Sequence, residues 1–241
     1  MSAVALAALI VERQPCVVLT GAGISTESGI PDFRSPTGLW ADVDPFEVAS
    51  IQAFRRDPAR VWSFYRERID VLLDAKPNAA HSALAQLERK GLVSAVVTQN
   101  IDMLHSRAGS EEVVEVHGSI RSAQCLRCLW TEPAAAVLAQ LAQTPVPACP
   151  QCGGPLKPGI VLFGEVLPAG AMERAVQLAR GARLMLVVGS SLEVWPVGGL
   201  PLEARSLVIV NRGPTALDDR ALLKIDAGAG ETLAAVLASV Q

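Results

Sequence analysis

Val17-Val18-Leu19-Thr20-Gly21-Ala22-Gly23-Ile24-Ser25-Thr26-Glu27-Ser28-Gly29-Ile30-Pro31-Asp32-Phe33-Arg34 is the stretch whose reading decides the fold. Cys16 to Thr20 has no polar alternate face, the pattern of a strand covered on both sides. Gly21 and Gly23 then open a turn in which backbone N–H groups, unshielded by a Cβ, can approach a phosphate. Ser25, Thr26 and Glu27 read as the start of a helix whose positive end faces the same anion. Strand, glycine turn and helix together open a dinucleotide site. Thr26 stands where the third glycine of the usual fingerprint falls, and neither Asp42 nor Asp44 ends a recognisable second strand. The turn by itself therefore also fits a plain tight turn. Pro31-Asp32-Phe33-Arg34 breaks the helix at once and brings acid, aromatic and base, as a loop folded over a ligand does.

Working outward, strand-like runs fall at 16–20, 93–97, 113–116, 160–163, 184–188, 207–210 and 222–225. Helical patterns lie between them at 58–74, 79–90, 168–180 and from 230 onward, and 2–11 reads as an amphipathic first helix. Continuously apolar strands alternating with helices predict an α/β fold with a doubly wound parallel sheet. The chain has 241 residues, half of them apolar, enough for a sizeable core. A net charge of −3 with no basic stripe argues against nucleic-acid binding through a cationic face. The apolar N-terminus is too short to span a membrane and lacks the basic flank of a signal peptide, so a cytoplasmic protein is expected.

One segment interrupts the alternation. Cys125-Leu126-Arg127-Cys128 and Cys149-Pro150-Gln151-Cys152 are two C-x-x-C knuckles separated by 20 residues, around a helix-like stretch at 133–143. That spacing suits one tetrahedral zinc held by Cys125, Cys128, Cys149 and Cys152. Without histidine or carboxylate in either knuckle the site is closed and structural, stapling a small inserted module. Cys16, inside the first strand, reads as an inert core residue.

Ligands of an open parallel sheet gather at the carboxyl ends of its strands. Thr98-Gln99-Asn100-Ile101-Asp102 follows the second major strand, and Gln99, Asn100 and Asp102 are expected to face the glycine turn there. Capping of the next helix by Asn100 and Asp102 is the plainer alternative. Of three histidines, His81 and His105 sit within helical patterns and read as structural. His117 precedes a glycine at a strand end, where a base titrating near neutrality is useful. Gly189-Ser190-Ser191-Leu192 and Asn211-Arg212-Gly213 are small polar loops after successive strands, placed to hold phosphates and ribose. On the helix at 58–74, Tyr65 and Arg68 are three apart and share a face. A solvated arginine beside a packed tyrosine is one reading, and a carboxylate-binding pair is the other.

Taken in order, Gly21 to Arg34, Thr98 to Asp102, His117-Gly118, the two C-x-x-C pairs, Phe163-Gly164-Glu165, Gly189 to Leu192 and Asn211 resemble the motifs of the sirtuins, the Sir2-type NAD-dependent protein-lysine deacylases, of the bacterial type. The resemblance runs over nearly the whole chain. It implies one catalytic domain over 1–241: a large Rossmann-type part at about 1–120 and 158–241, and a small zinc module at about 121–157. By position, Gly21, Ala22, Gly23, Thr26, Asp32, Phe33 and Arg34 would contact NAD, with Phe33 shielding the nicotinamide–ribose bond. Gln99, Asn100, Ile101 and Asp102 would form the nicotinamide and ribose pocket. Gly189, Ser190, Ser191, Asn211, Arg212, Gly213 and Ala229 would line the phosphate and adenosine end. Val161, Phe163, Gly164, Glu165 and Val166 match the segment that pairs with substrate backbone.

NAD is implied as a consumed co-substrate, beside one structural zinc. The acyl oxygen would attack C1′ of the nicotinamide ribose, and His117, with Asn100 and Asp102 in the catalytic set, would deprotonate a ribose hydroxyl. The products would be nicotinamide, free lysine and O-acyl-ADP-ribose. The partners implied are acyl-lysine proteins or peptides, with no nucleic acid and no membrane, and the chain is expected as a monomer. Mono-ADP-ribosyl transfer and a silent NAD-sensing module are the alternatives. Tyr65 and Arg68 match the pair of the succinyl- and malonyl-removing branch, although Ser35 replaces the commoner glycine after Arg34. Deacetylation and desuccinylation are both expected.

Overall fold

The structure is a computed structural model that describes residues 2–33, 35–36 and 38–240. Helix α1 (Ser2–Glu12) leads into β1 (Cys16–Thr20), after which a 3₁₀ turn occupies Ala22–Ser28. Four helices follow: α2 (Pro45–Val48), α3 (Ile51–Arg56), α4 (Pro58–Asp74) and α5 (Ala79–Arg89). The chain continues through β2 (Ala95–Thr98), α6 (Leu104–Ala108), β3 (Val113–Glu115), β4 (Gly118–Cys125), β5 (Thr131–Pro133), α7 (Ala134–Leu141) and β6 (Leu156–Ile160). It closes with α8 (Ala169–Gly181), β7 (Leu184–Val188), β8 (Leu207–Val210), β9 (Leu223–Ile225) and α9 (Ala229–Ser239).

The main sheet has the order β3-β2-β1-β7-β8-β9 and every pairing in it is parallel. Counted within that sheet alone, the order is 3-2-1-4-5-6, the Rossmann arrangement, which reverses between β1 and β7. Its apolar strands alternate between two covered faces. Val18, Val96, Leu186 and Val208 pack with α1, α5 and α9. Val17, Leu19, Val97, Met185, Val187 and Ile209 pack with α8 and the 3₁₀ segment Val197–Glu203. Both faces are dry, which is why these strands read as unbroken hydrophobic runs.

A second, antiparallel sheet has the order β5-β4-β6 and carries the cysteine knuckles at one end. A third apolar cluster joins it to α4: Trp62, Phe64, Tyr65, Ile160 and Leu162 share one core, and Trp62 Nε1 donates to the Leu156 carbonyl at 2.7 Å.

Four boundaries depart from expectation. The helix expected from Ser25 is a 3₁₀ turn starting at Ala22, stopped by Gly29 in the left-handed region at φ +82°. The strand expected at 160–163 ends at Ile160 and belongs to the antiparallel sheet. Beyond it the chain makes one isolated bridge, Phe163 to Ser50, instead of a ladder. Strand β4 goes unpredicted because its buried and open positions alternate irregularly around a bulge. Helices α2 and α3 are short and owe their ends to Asp44 and Ser50, whose side chains cap Phe46 and Ala53 N–H groups.

Candidate active site

The site is built where the sheet order reverses. Gly21, at the carboxyl end of β1, donates its N–H to Val188 O at 3.2 Å, and Gly23 donates to Gly189 O at 2.9 Å. A Cβ on Gly21 would stand 2.8 Å from Gly189 O, so only glycine lets these strand ends approach so closely. Ala22 is half-buried and Thr26 exposed on the 3₁₀ turn, the Thr26 hydroxyl donating to Gly23 O at 3.0 Å.

The loop after β2 folds onto this turn. Asn100 Nδ2 donates to Gly21 O and to Ser25 Oγ, both at 3.1 Å, and Ser25 Oγ donates to Asp102 Oδ2 at 2.7 Å. Asp102 also accepts from Leu104 N–H at 2.9 Å, so the capping role weighed for it is real and coexists with the inward one. Asn100, Asp102 and Ser25 are all buried, and each is hydrogen-bonded through its side chain. Gln99 reaches across the reversal point, its Nε2 donating to Ser190 Oγ at 2.9 Å, while Ile101 O accepts from Ile120 N–H.

Below them Thr20 and Thr98, paired across β1 and β2, hydrogen-bond at 2.8 Å, and Thr20 Oγ1 meets His105 Nε2 at 2.9 Å. His105 and His81 are buried with ring centroids 4.8 Å apart. Burial drives the His81 pKa down to about 4 and the His105 pKa down to about 3, so both are neutral core residues as expected.

His117 lies between β3 and β4, half-buried, with Nδ1 3.0 Å from Gln99 O. A carbonyl only accepts, so Nδ1 carries the proton and Nε2 keeps its lone pair. Burial lowers the His117 pKa, against a smaller upward pull from the Gln99 carbonyl.

The loop after the 3₁₀ turn lines a cleft of about 260 Å³ with Thr26, Gly29, Ile30, Pro31, Asp32 and Ser35. Asp32 Oδ1 accepts Ser35 N–H at 2.8 Å. Phe33 stacks on Trp40 at 5.2 Å, and Trp40 stacks on Phe64 at 5.8 Å. Arg34 lies outside the described residues.

At the other end, Gly189 adopts φ +63° and Ser190 is buried, its Oγ accepting Leu192 N–H, while Ser191 Oγ donates to Glu193. Asn211 Nδ2 donates to Arg212 O at 2.9 Å, and Gly213 N–H donates to Asp226 at 3.2 Å. Ala229 is buried as the first residue of α9, whose Gly230 N–H donates to Glu27 at 3.0 Å; the end of that helix thus touches the glycine turn. All these loops open on one edge of the sheet.

The Sir2 family model matches residues 21–196. The chain belongs to the Sir2 family. An NAD-dependent protein deacetylase of Caldivirga maquilingensis is 45% identical over 241 residues, covering 98% of this chain and 92% of the relative. NAD-dependent protein deacylase 2 of Archaeoglobus fulgidus is 45% identical over 240 residues, covering 98% and 94%. A solved Sir2 structure described with a p53 peptide and NAD⁺ superimposes with a TM-score of 0.92 at 43% identity, covering 99% of this chain and 98% of that one.

The sirtuin's four knuckle sulfurs lie within 4.8 Å of one another, with Cys125 to Cys152 at 3.5 Å and Cys128 to Cys149 at 3.6 Å. Sulfurs around tetrahedral zinc, with Zn–S near 2.3 Å, sit roughly 3.8 Å apart, so the set fits one ion. The close packing of Gly21 and Gly23 on Gly189 joins β1 and β7 at the reversal point, where a sheet of this order binds a dinucleotide. Cys16 is buried, its thiol pushed up to about 12 by desolvation.

In this sirtuin Tyr65 is buried on α4 and Arg68 is partly open. Among the described residues nothing accepts from the buried Arg68 Nε. Of the substrate-segment residues, Val161 and Phe163 are half-buried, Gly164 is exposed at φ +84°, Glu165 turns inward and Val166 is 92% exposed. Sequence reasoning gave Trp40 and Phe64 no role and read Ser25 only as part of a helix start. Ser25 stands within the quoted stretch, but its partner is 77 residues away.

Proposed function

We propose that this chain, an NAD-dependent protein deacylase of the Sir2 family, removes both acetyl and succinyl groups from lysine, releasing nicotinamide and O-acyl-ADP-ribose. The observation that carries the reading is the His117 ring: its Nδ1 is committed to Gln99 O, and a basic Nε2 remains beside the loop holding Asn100 and Asp102. NAD, when bound, supplies an electrophilic ribose carbon and nicotinamide as leaving group.

The chain's residues do the rest. Gly21, Ala22, Gly23, Thr26, Gly189, Ser190, Ser191, Asn211, Arg212, Gly213 and Ala229 hold the phosphates and adenosine, and Gln99 to Asp102 hold the ribose and nicotinamide. Phe33, backed by Trp40, keeps water from the reacting bond, and Asp32 and Arg34 contact the cofactor. His117 accepts the ribose hydroxyl proton at Nε2. Cys125, Cys128, Cys149 and Cys152 hold a structural zinc in the module at about 121–157.

The peptide lies along Val161 to Val166, and the acyl chain runs toward Tyr65 and Arg68. The partly open Arg68, on the same face of α4 as Tyr65, supports a carboxylate-tailed acyl group, since its guanidinium can pair with a succinyl carboxylate. Among the described residues no helix is long and apolar enough to cross a membrane. We place the enzyme in the cytoplasm, as a monomer that binds neither nucleic acid nor membrane; the near-balanced charge and cysteine-held metal support this.

The test is nicotinamide release from NAD with acetyl- and succinyl-lysine peptides, with products identified by mass spectrometry. Peptide-dependent release of O-acyl-ADP-ribose is expected. Release with ADP-ribose left on protein indicates a transferase, and NAD binding without release a sensor; either result overturns the reading.

A further inference from the structure

Lys157 on β6 is 3% exposed, an unusual position for an ammonium group. Its Nζ donates to the Ile160 carbonyl and, at 2.9 Å, to Glu165 Oε2. The same carboxylate oxygen accepts Leu162 N–H at 2.8 Å. One buried ion pair therefore ties the segment 160–165 to itself at a carbonyl and an amide.

That segment has left the sheet ladder and needs another constraint. Val161 N–H donates to the carbonyl of His117 at 2.8 Å. Phe163 N–H donates to Ala49 O at 2.8 Å, and Phe163 O accepts from Ile51 N–H at 3.0 Å. Gly164, at φ +84°, turns the chain so that Glu165 can fold back under it. The pair holds the even-numbered groups, the Ile160 carbonyl and the Leu162 N–H, while main-chain bonds to His117 and the α2–α3 corner hold Val161 and Phe163. A slip of one residue would break both sets.

We infer that Lys157 and Glu165 are positioning residues for the acylated peptide: the buried pair sets the register of Val161–Val166 and, through the Val161–His117 bond, the distance from the bound peptide to the base. This rests on the proposed peptide-binding role of that segment. A second consequence follows from charge. Burial is the main reason the Tyr65 phenol titrates high, with Arg68 pulling it down and Glu165 adding to the rise. Lys157 thus neutralises a carboxylate at the edge of the acyl-binding pair.

Four proteins test this: wild type, Glu165→Gln, Lys157→Met, and the double variant Lys157→Met/Glu165→Leu, which replaces the buried pair with apolar groups of similar size and so protects the fold. Steady-state kinetics with an acetyl-lysine peptide are combined with anisotropy of the fluorescein-labelled peptide, which reads binding without turnover. Removing the pair is expected to raise peptide KM and Kd about tenfold, with kcat at saturating peptide and KM for NAD changed less than about twofold. Glu165→Gln keeps an acceptor for both donors and should recover most of the affinity. Lys157→Met, which leaves Glu165 unneutralised, should penalise a succinyl-lysine peptide more than an acetyl one; the double variant should not. Unchanged peptide KM and Kd in the double variant overturns the inference, as does a parallel change in kcat and both KM values. Peptide affinity that is equally insensitive to Val161→Pro would show that the segment does not bind peptide at all, locating the failure in the underlying reading.

Discussion

The guanidinium carbon of Arg68 lies 3.8 Å from the centroid of the Phe64 ring, and Arg68 Nη1 donates to the Phe64 carbonyl at 2.6 Å. Glu67 adds an ion pair at 3.3 Å. The arginine is thus held by stacking and by its own helix, while among the described residues Nε has no acceptor. Phe64 meets Tyr65 edge-on at 5.2 Å and stacks on Trp40, so the proposed acyl pair and the Phe33 loop share one aromatic column.

Acyl selectivity should follow this arginine. Arg68→Met removes the charged donor and keeps the apolar stem against Phe64. A charge-assisted hydrogen bond contributes about 1.5–3 kcal/mol, so kcat/KM for succinyl-lysine should fall roughly tenfold or more. Acetyl-lysine should lose less than about threefold by the same measure. Competition kinetics with both peptides decide it: a parallel fall would assign Arg68 to packing.

His117→Ala should lower the rate by about 10²–10⁴ while leaving the melting temperature close to wild type, since among the described residues the ring's one hydrogen bond is to the Gln99 carbonyl. Only the neutral ring accepts a proton, and burial lowers its pKa below the ordinary 6.5. The acid limb of kcat/KM should therefore fall below pH 6.5, not above it. A limb centred above 6.5 would point to another group.

Metal analysis should give about one zinc per chain. Thiolates bind metal only when brought together by the fold, so metal loss and local unfolding are coupled. Cys149→Ser with Cys152→Ser should release the zinc and lower the melting temperature, and Cys16→Ser should leave the zinc in place. Full zinc in the double variant would refute the assignment.

The buried histidine pair should make the protein acid-labile. Both pKa values are depressed in the folded chain, to about 4 for His81 and about 3 for His105, against 6.5 unfolded. Below pH 6.5 the unfolded chain binds more protons, so the stability from this pair is complete above 6.5 and is lost as pH falls toward those values. Each histidine adds a slope of up to about 1.4 kcal/mol per pH unit in that window. Urea melts at pH 7 and pH 5 should show His105→Gln, although weaker at pH 7, losing less stability between the two. Equal losses would mean that the pair stays accessible to protons.

The sequence by itself determined whatever depends on short spacing. Covered strands follow from unbroken apolar runs, the tight turn from Gly21 and Gly23, and the thiolate set from two C-x-x-C pairs. Each involves residues within a few positions, or a motif whose chemistry admits few partners. The tertiary structure decided what joins distant segments. Ser25 and Asp102 are 77 residues apart, and Asn100 and Gly21 are 79 apart. The Phe33–Trp40–Phe64 column joins a loop to a helix. Lys157 sits on a stretch that reads as ordinary polar sequence, and its burial against Glu165 depends on where β6 leaves the sheet. Local periodicity says which face of an element is apolar. Only the packing of elements against one another says which polar groups remain inside, and those are the groups that carry the chemistry.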